Sequence, residues 1–217
     1  MKKRKHIIKI WGGCLICLLL AVGCSTTYYA AMEKMGKEKR HLLTDNVADV
    51  KDSQTAAKEE FTDALTQIQA LYDFDGGELE RVYKKIKSSY EDCRSRAEQI
   101  DTRIAQVKTV GRDLFAEWDA EITEMQDPEL KAASRRSKSD TQARFRKLEA
   151  AMDQSARAMA PVLAKLNDMV LFLKHNLNAR AVGALGKEAL SIETDIDALI
   201  KDMNRAIAEA DQFIAHM

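Results

Sequence analysis

From Val47 to Phe213 the apolar residues recur every three or four positions, in four long series separated by short polar breaks. The first series is Val47, Val50, Gln54, Ala57, Phe61, Ala64, Ile68 and Leu71. A spacing of about 3.5 residues keeps one stripe facing a partner helix, so a helix is predicted over about 33–71. Its seam is thin, because Gln54 and two alanines interrupt it. Asp73-Phe74-Asp75-Gly76-Gly77 ends it. Adjacent glycines permit positive φ, and Asp favours turns.

The second series is Leu79, Val82, Ile86, Tyr90, Cys93, Ala97, Ile100, Ile104, Val107, Gly111, Leu114, Trp118, Ile122 and Met125. It predicts a helix over about 78–125. Gly111 costs about 1 kcal/mol against Ala inside a helix. The return for that cost is close approach of a large side chain from a facing helix. Asp127-Pro128 marks the next turn, since Pro suits a first helical turn. The third helix starts near Pro128 or Glu129. Its stripe becomes firm only at Phe145, Leu148, Met152, Ala156, Met159, Leu163, Leu166, Val170 and Leu173. Pro161 lacks an N–H and is expected to kink it. Asn176 and Asn178 suit its cap and turn. The last helix, about 179–214, carries Leu185, Ala189, Ile192, Ile196, Leu199, Met203, Ala206, Ala210 and Phe213. Ile200, Ile207 and Ile214 widen that stripe, which predicts a central place for this helix. Residues 134–144 have too few apolar positions for a full core, so that end is expected to be frayed or bare to a partner.

These series specify an all-α fold: an elongated antiparallel helical bundle or coiled coil of about four long helices, spanning 33–217. Two prolines in 217 residues and 31% charged residues agree with it.

The N-terminus is patterned differently. Lys2, Lys3, Arg4, Lys5 and Lys9 precede an uncharged, mostly apolar run from Ile10 to Leu20, followed by Ala21-Val22-Gly23-Cys24. A basic head, a short apolar run and small residues at its end are the three parts of a secretory signal. The last four residues resemble the lipobox of bacterial lipoproteins. That resemblance implies cleavage after residue 23, diacylglycerol on the Cys24 thiol and an acylated amine. Ala21 departs from it, standing where Leu is commonest. Ser25 follows the cysteine, where Asp would signal inner-membrane retention in enteric bacteria, so the resemblance places the chain at the outer membrane, facing the periplasm. Residues 1–23 are then a signal peptide and 24–32 a lipidated tether. The alternative is an uncleaved transmembrane anchor that uses 25–32 as its second half, at a cost set by the polar Ser-Thr-Thr start. Tyr28 and Tyr29 suit either the headgroup region or packing on helix ends.

This reading changes the charge. The full chain has 34 basic and 34 acidic residues. Five of the bases lie in the signal, leaving 29 against 34 acids and a net charge of −5 from Cys24 onward. That sign and the inferred compartment disfavour nucleic acid. Of four cysteines, Cys14 and Cys17 leave with the signal and Cys24 carries lipid. Cys93 remains, so no intramolecular disulfide can form. It sits on an apolar stripe and reads as a small buried hydrophobe, with redox chemistry or an intermolecular disulfide as the alternative.

Catalytic signatures are missing. The mature chain has no phosphate loop, GxSxG, HExxH or paired CxxC. His41, His175 and His216 have no metal-ligand spacing, so neither a metal nor a cofactor is expected. Two features stand out from the rest. One is a basic cluster, with Arg135, Arg136, Lys138 and Arg144 as a candidate patch for lipid phosphates, lipopolysaccharide or an acidic partner; ion pairing on an exposed tip is the plainer account. The other is the corner from Val170 to Ala181, where Phe172, Lys174, His175, Asn176 and Asn178 form a candidate docking site for a partner protein. Core packing around a helix corner is its alternative.

The stretch Leu-Phe-Leu-Lys-His-Asn-Leu-Asn-Ala-Arg-Ala (171–181), Phe115-Ala116-Glu117-Trp118 with Glu121-Ile122, Met159-Ala160-Pro161-Val162-Leu163, and the segment from Tyr28-Tyr29 to Lys39-Arg40 resemble a bacterial family of lipoproteins with domain of unknown function 2959. The resemblance covers essentially the whole mature chain. It implies a helical envelope lipoprotein and no activity.

The expected function is therefore a non-enzymatic envelope lipoprotein, a helical scaffold or adaptor held to the membrane through lipid on Cys24. Its partner is an unknown envelope protein, and its exposed heptad stripes also suit pairing with itself. A lipid- or envelope-polymer-binding module using the tip at 131–147 is the second reading. A periplasmic hydrolase is a third, which a deep pocket with converging carboxylates or histidines would favour.

Overall fold

The computed structural model describes Tyr29, Met32 and residues 38–70, 79–176 and 179–217, without the side chains of 179–184, 186 and 187. The signal of residues 1–23, Cys24, Tyr28, the 71–78 turn and Asn178 lie outside the described residues. Four helices follow one another: α1 (Lys39–Gln69), α2 (Leu79–Glu124), α3 (Pro128–His175) and α4 (Ala179–Ala215). Among the described residues there is no strand. The backbone packs into two compact units, 1–42 and 43–217.

In the first unit Tyr29 and Met32 are helical. The Tyr29 ring is 9% exposed and lies under the Lys39 ammonium at 4.9 Å, so this tyrosine packs against protein. The first long helix begins at Lys39, later than the expected 33. Glu38 lies outside it and its carbonyl accepts from the His41 and Leu42 amides. Gly36, a poor helix former, stands just before this break.

Within 43–217 the helices form an antiparallel four-helix bundle, with α3 packed closely on both α2 and α4. That corrects the expected central place of α4. Its extra isoleucines, Ile200, Ile207 and Ile214, are half-buried on its flanks rather than enclosed. The fourth position belongs to α1, joined to α2 by Glu60–Arg96 (3.2 Å) and Asp49–Arg103 (3.2 Å), and to α4 by Lys51–Asp211 (3.1 Å). Gln54 of α1 reaches diagonally across the core to Ser155 of α3.

The seam residues are where the 3.5-residue pattern puts them. All nine stripe residues of α4 are buried, as are Val47, Val50, Gln54, Ala57, Phe61, Ala64 and Ile68 of α1. Fully burying a Leu, Ile or Phe contributes about 1.5–3 kcal/mol, and such side chains line the whole bundle. Of the second stripe, Val82, Tyr90 and Trp118 on α2 and Met125 just after it are half-buried rather than enclosed, while Val110 and Phe115 join the core. Asp127 caps α3, its carboxylate accepting from the Glu129 and Leu130 amides at 2.8 and 2.9 Å. Pro161 lies on an exposed position inside α3. Asn176 closes the helix, its N–H donating to the Leu173 carbonyl and its Nδ2 to the Phe172 carbonyl.

The contacts also set levels along the unit. Phe213 of α4 meets Phe145 of α3 two residues before α4 ends. Gln54 meets Ser155, and α1 runs parallel to α3, so Leu43 is level with about Arg144. Residues 116–143 therefore continue as a two-helix hairpin past the end of α4, by about 20 Å at 1.5 Å per residue. The chain enters the unit at this same end.

Candidate functional site

The hairpin carries the predicted basic patch, and the structure does not assemble it. Lys138 turns inward to Asp119 of α2 and its side chain is only 12% exposed. Arg144 folds back, its Nη2 donating to Thr141 Oγ1 at 3.1 Å. Arg135 and Arg136 are exposed and make no ion pair among the described residues. Residues 116–147, which include the whole basic cluster, hold seven acids and seven bases. A balanced set of charges does not concentrate anions. The expectation of fraying over 134–144 is corrected too: α3 is continuous there. Polar contacts hold it in place of a core, with Trp118 Nε1 donating to Ser134 Oγ at 2.9 Å and Thr141 buried.

At the other end, Val170 and Leu173 take the core positions and leave Leu171 and Phe172 at 52% and 37% exposure. Lys174 and His175 are exposed, while Asn176 is spent as the cap. Phe172 also borders a groove of about 440 Å³ between α3 and α4, with Met169, Leu185 and Ile192. The docking corner is thus apolar and solvent-facing at Phe172, with basic groups beside it.

Sequence reasoning did not find a third feature, a groove of about 400 Å³ between α2 and α3. Gly111 creates it. A Cβ there would lie 2.2 Å from Phe145 Cζ, so only glycine lets the ring of α3 reach the backbone of α2. Phe145 then meets Phe115 edge-on, with centroids 5.5 Å apart, and Phe213 at 5.6 Å. Phe115 and Phe145 floor the groove, and Lys108, Arg112 and Arg146 stand around it. Lys108 is held by both oxygens of Asp153 at 2.6 and 2.7 Å. Glu149 also lines the groove, and its carboxyl is pushed above the usual carboxylate range by burial, against the pull of Lys108. The signal for this site was Gly111 in a helix four residues before Phe115; the partner ring needed the α2–α3 register.

Cys93 is fully buried. Burial, aided by the nearby Glu60 and Asp92 carboxylates, pushes its thiol from 9.0 up to about 12. The reactive species is the thiolate, so this thiol is inert in the folded chain. Alkylation at Cys93, read by peptide mapping, is expected only at the rate of unfolding. Between about pH 9 and 12 the unfolded chain releases a proton that the folded chain keeps. Stability is therefore lost as pH rises through that window, and the loss is expected to be shallower in Cys93→Ala. Equal alkaline slopes in the two proteins would contradict the burial.

Among the described residues no group of three or more His, Cys, Asp or Glu side chains could hold a metal ion. No described helix is long and apolar enough to cross a membrane. No curated protein matches the chain. A family model described as a protein of unknown function (DUF2959) matches residues 28–217, and the chain belongs to that family.

Proposed function

We propose that this chain is a lipid-anchored scaffold or adaptor of the bacterial cell envelope, acting through contact rather than catalysis. The observation that carries the reading is the sequence Ala21-Val22-Gly23-Cys24 after a basic head and a short apolar run. Acyl groups on Cys24 contribute about 0.8 kcal/mol per buried CH₂, and more than one chain makes the anchoring stable. The outer membrane, facing the periplasm, is the location that Ser25 favours. The bundle supports a contact role. Among the described residues its helices make many polar contacts with one another, and the adjacent Leu171 and Phe172 are two of its five exposed large apolar side chains. The Phe172 corner is the surface proposed for an envelope protein or a second copy. The alternative of a lipid- or polymer-binding tip at 131–147 has less support, because Lys138 is already engaged by Asp119 and Arg144 folds back onto Thr141.

The test is metabolic labelling with a radioactive fatty acid, followed by membrane fractionation. Wild type is expected to take up label and sediment with membranes, and Cys24→Ala to take up none. Label that persists in Cys24→Ala, or is missing from wild type, would remove the anchor and the reading with it.

A further inference from the structure

The two ends of α3 carry opposite charge and the same kind of apolar exposure. At the hairpin tip, residues 120–130 hold four acids, Glu121, Glu124, Asp127 and Glu129, and no base. Asp127 is spent on the cap of α3, while Glu121, Glu124 and Glu129 are exposed and make no ion pair among the described residues. Lys131 turns back to the Thr123 carbonyl at 3.1 Å. The exposed Arg135 and Arg136 begin about 9 Å beyond Glu129 along α3, at 1.5 Å per residue. Next to Glu129, Leu130 is 66% exposed, where the unit has only two helices. At the far end of α3 the run 169–187, bounded by Asp168 and Glu188, holds Lys174, Arg180 and Lys187 with His175 and no acid. Lys174 and His175 are exposed without an ion pair among the described residues. Leu171 and Phe172 precede them at 52% and 37% exposure.

These signs select among the ways in which two copies can meet. Tip against tip sets carboxylates against carboxylates, and corner against corner sets Lys174 and His175 against their own equivalents. Tip against corner brings Glu124 and Glu129 to Lys174, and Leu130 to Leu171 and Phe172. Opposed patches of opposite sign steer and orient association, and like charges suppress it. A contact of this kind is heterologous, so each copy keeps one free tip or corner and further copies can add. Two helix ends offer less than the roughly 800 Å² per partner of a standard interface, which makes the contact a transient one.

We propose that this chain associates head to tail with a second copy of itself, the acidic hairpin tip of one copy seated on the basic Phe172 corner of the next. This deepens the contact role proposed above and rests on its corner surface, but not on lipid at Cys24.

A transient contact is best read by covalent capture, and a carbodiimide joins a carboxylate to an amine only where the two touch. Within one chain Glu129 and Lys174 lie 45 residues apart on the same helix, about 68 Å at 1.5 Å per residue, so a link between them joins two copies. The full chain, in a mild nonionic detergent, is treated with the carbodiimide and its linked peptides are read by mass spectrometry. A link from Glu124 or Glu129 to Lys174 is expected, with a yield that falls as salt is raised. Leu130→Asn and Phe172→Asn change exposed positions and remove no coupled group. Each is expected to lower the yield roughly tenfold while helical circular dichroism is unchanged. When the two variants carry different tags and are mixed, the link is expected to return between unlike tags only, because each chain supplies the half that the other lacks. Arg157→Gln, exposed midway along α3, is expected to change nothing. The proposal is overturned if wild type gives no tip-to-corner link, if the mixture stays unlinked, or if Arg157→Gln lowers the yield as much as Phe172→Asn. The two readings fail separately: fatty-acid label without the link removes only the pairing, and the link without label removes only the anchor.

Discussion

Gly111→Ala is expected to destabilise the protein by about 2 kcal/mol, although Ala is the better helix former by about 1 kcal/mol. The new methyl would meet three atoms of the Phe145 ring at 2.2, 2.7 and 2.9 Å. Rings can often swing aside, but this one is braced by Phe115 on one side and Phe213 on the other. Moving it would open the junction of α2, α3 and α4 at the level where the four-helix core gives way to the hairpin. For a domain of this size the loss corresponds to a fall in melting temperature of about 4–8 °C. Phe145→Ala is expected to cost more, about 3–5 kcal/mol, because it leaves a cavity in the same place. The double variant should cost less than the two together by 1–2 kcal/mol or so, since each change relieves part of the other's damage. Urea titrations of all four proteins decide it. Gly111→Ala that stabilises by the bare helix preference, or a strictly additive double variant, would mean that the ring does not sit against the glycine.

The second large effect has the opposite sign. Gln54→Leu is expected to stabilise the bundle by about 1–3 kcal/mol. Gln54 is fully buried in the α1 seam, its Nε2 donating to Ser155 Oγ at 2.6 Å, and its Oε1 has no partner. An unpartnered buried carbonyl keeps its desolvation cost. Leu removes that cost and adds apolar contact, and Ser155 Oγ still donates to the Met152 carbonyl at 3.2 Å. Ser155→Ala is expected to do the reverse and destabilise by about 1–3 kcal/mol, because the Gln54 amide then loses the one polar contact it has. A buried polar residue in a helical seam costs stability and specifies register. The thin α1 seam, with Ala57 and Ala64 on either side of Phe61, needs such a peg, since small residues slide past one another easily. More stable Gln54→Leu with broadened α1 amide resonances supports the peg. Unchanged stability would refute the energetic argument, and a gain with sharp resonances would refute the register argument.

Much of this architecture was legible before any coordinates. Helix number, order and direction followed from apolar residues at steps of three and four, because a helix has one period and short connections force antiparallel neighbours. The turn at Asp127-Pro128 and the cap at Asn176 followed from local preferences, which involve residues no more than four apart. The extra burial of Val110 and Phe115 was not legible, since it depends on which face of α2 meets α3. The apolar corner at Phe172 was readable as an excess over one stripe, and its exposure follows from Val170 and Leu173 taking the inward positions.

The α2–α3 groove divides along the same line. The chain's own residues determined that four amphipathic helices would pair and that a glycine at position 111 would admit something large. They also set the basic head and Cys24 at the start of the chain. Only the tertiary structure decided that the guest is Phe145, that Lys138 is consumed by Asp119 while Arg146 is left over, and that Gln54 faces Ser155. Local periodicity is written into each helix by its own few neighbours. Pairing across the bundle joins residues up to 160 positions apart, as in Lys51–Asp211, and is settled only when all four helices share one register.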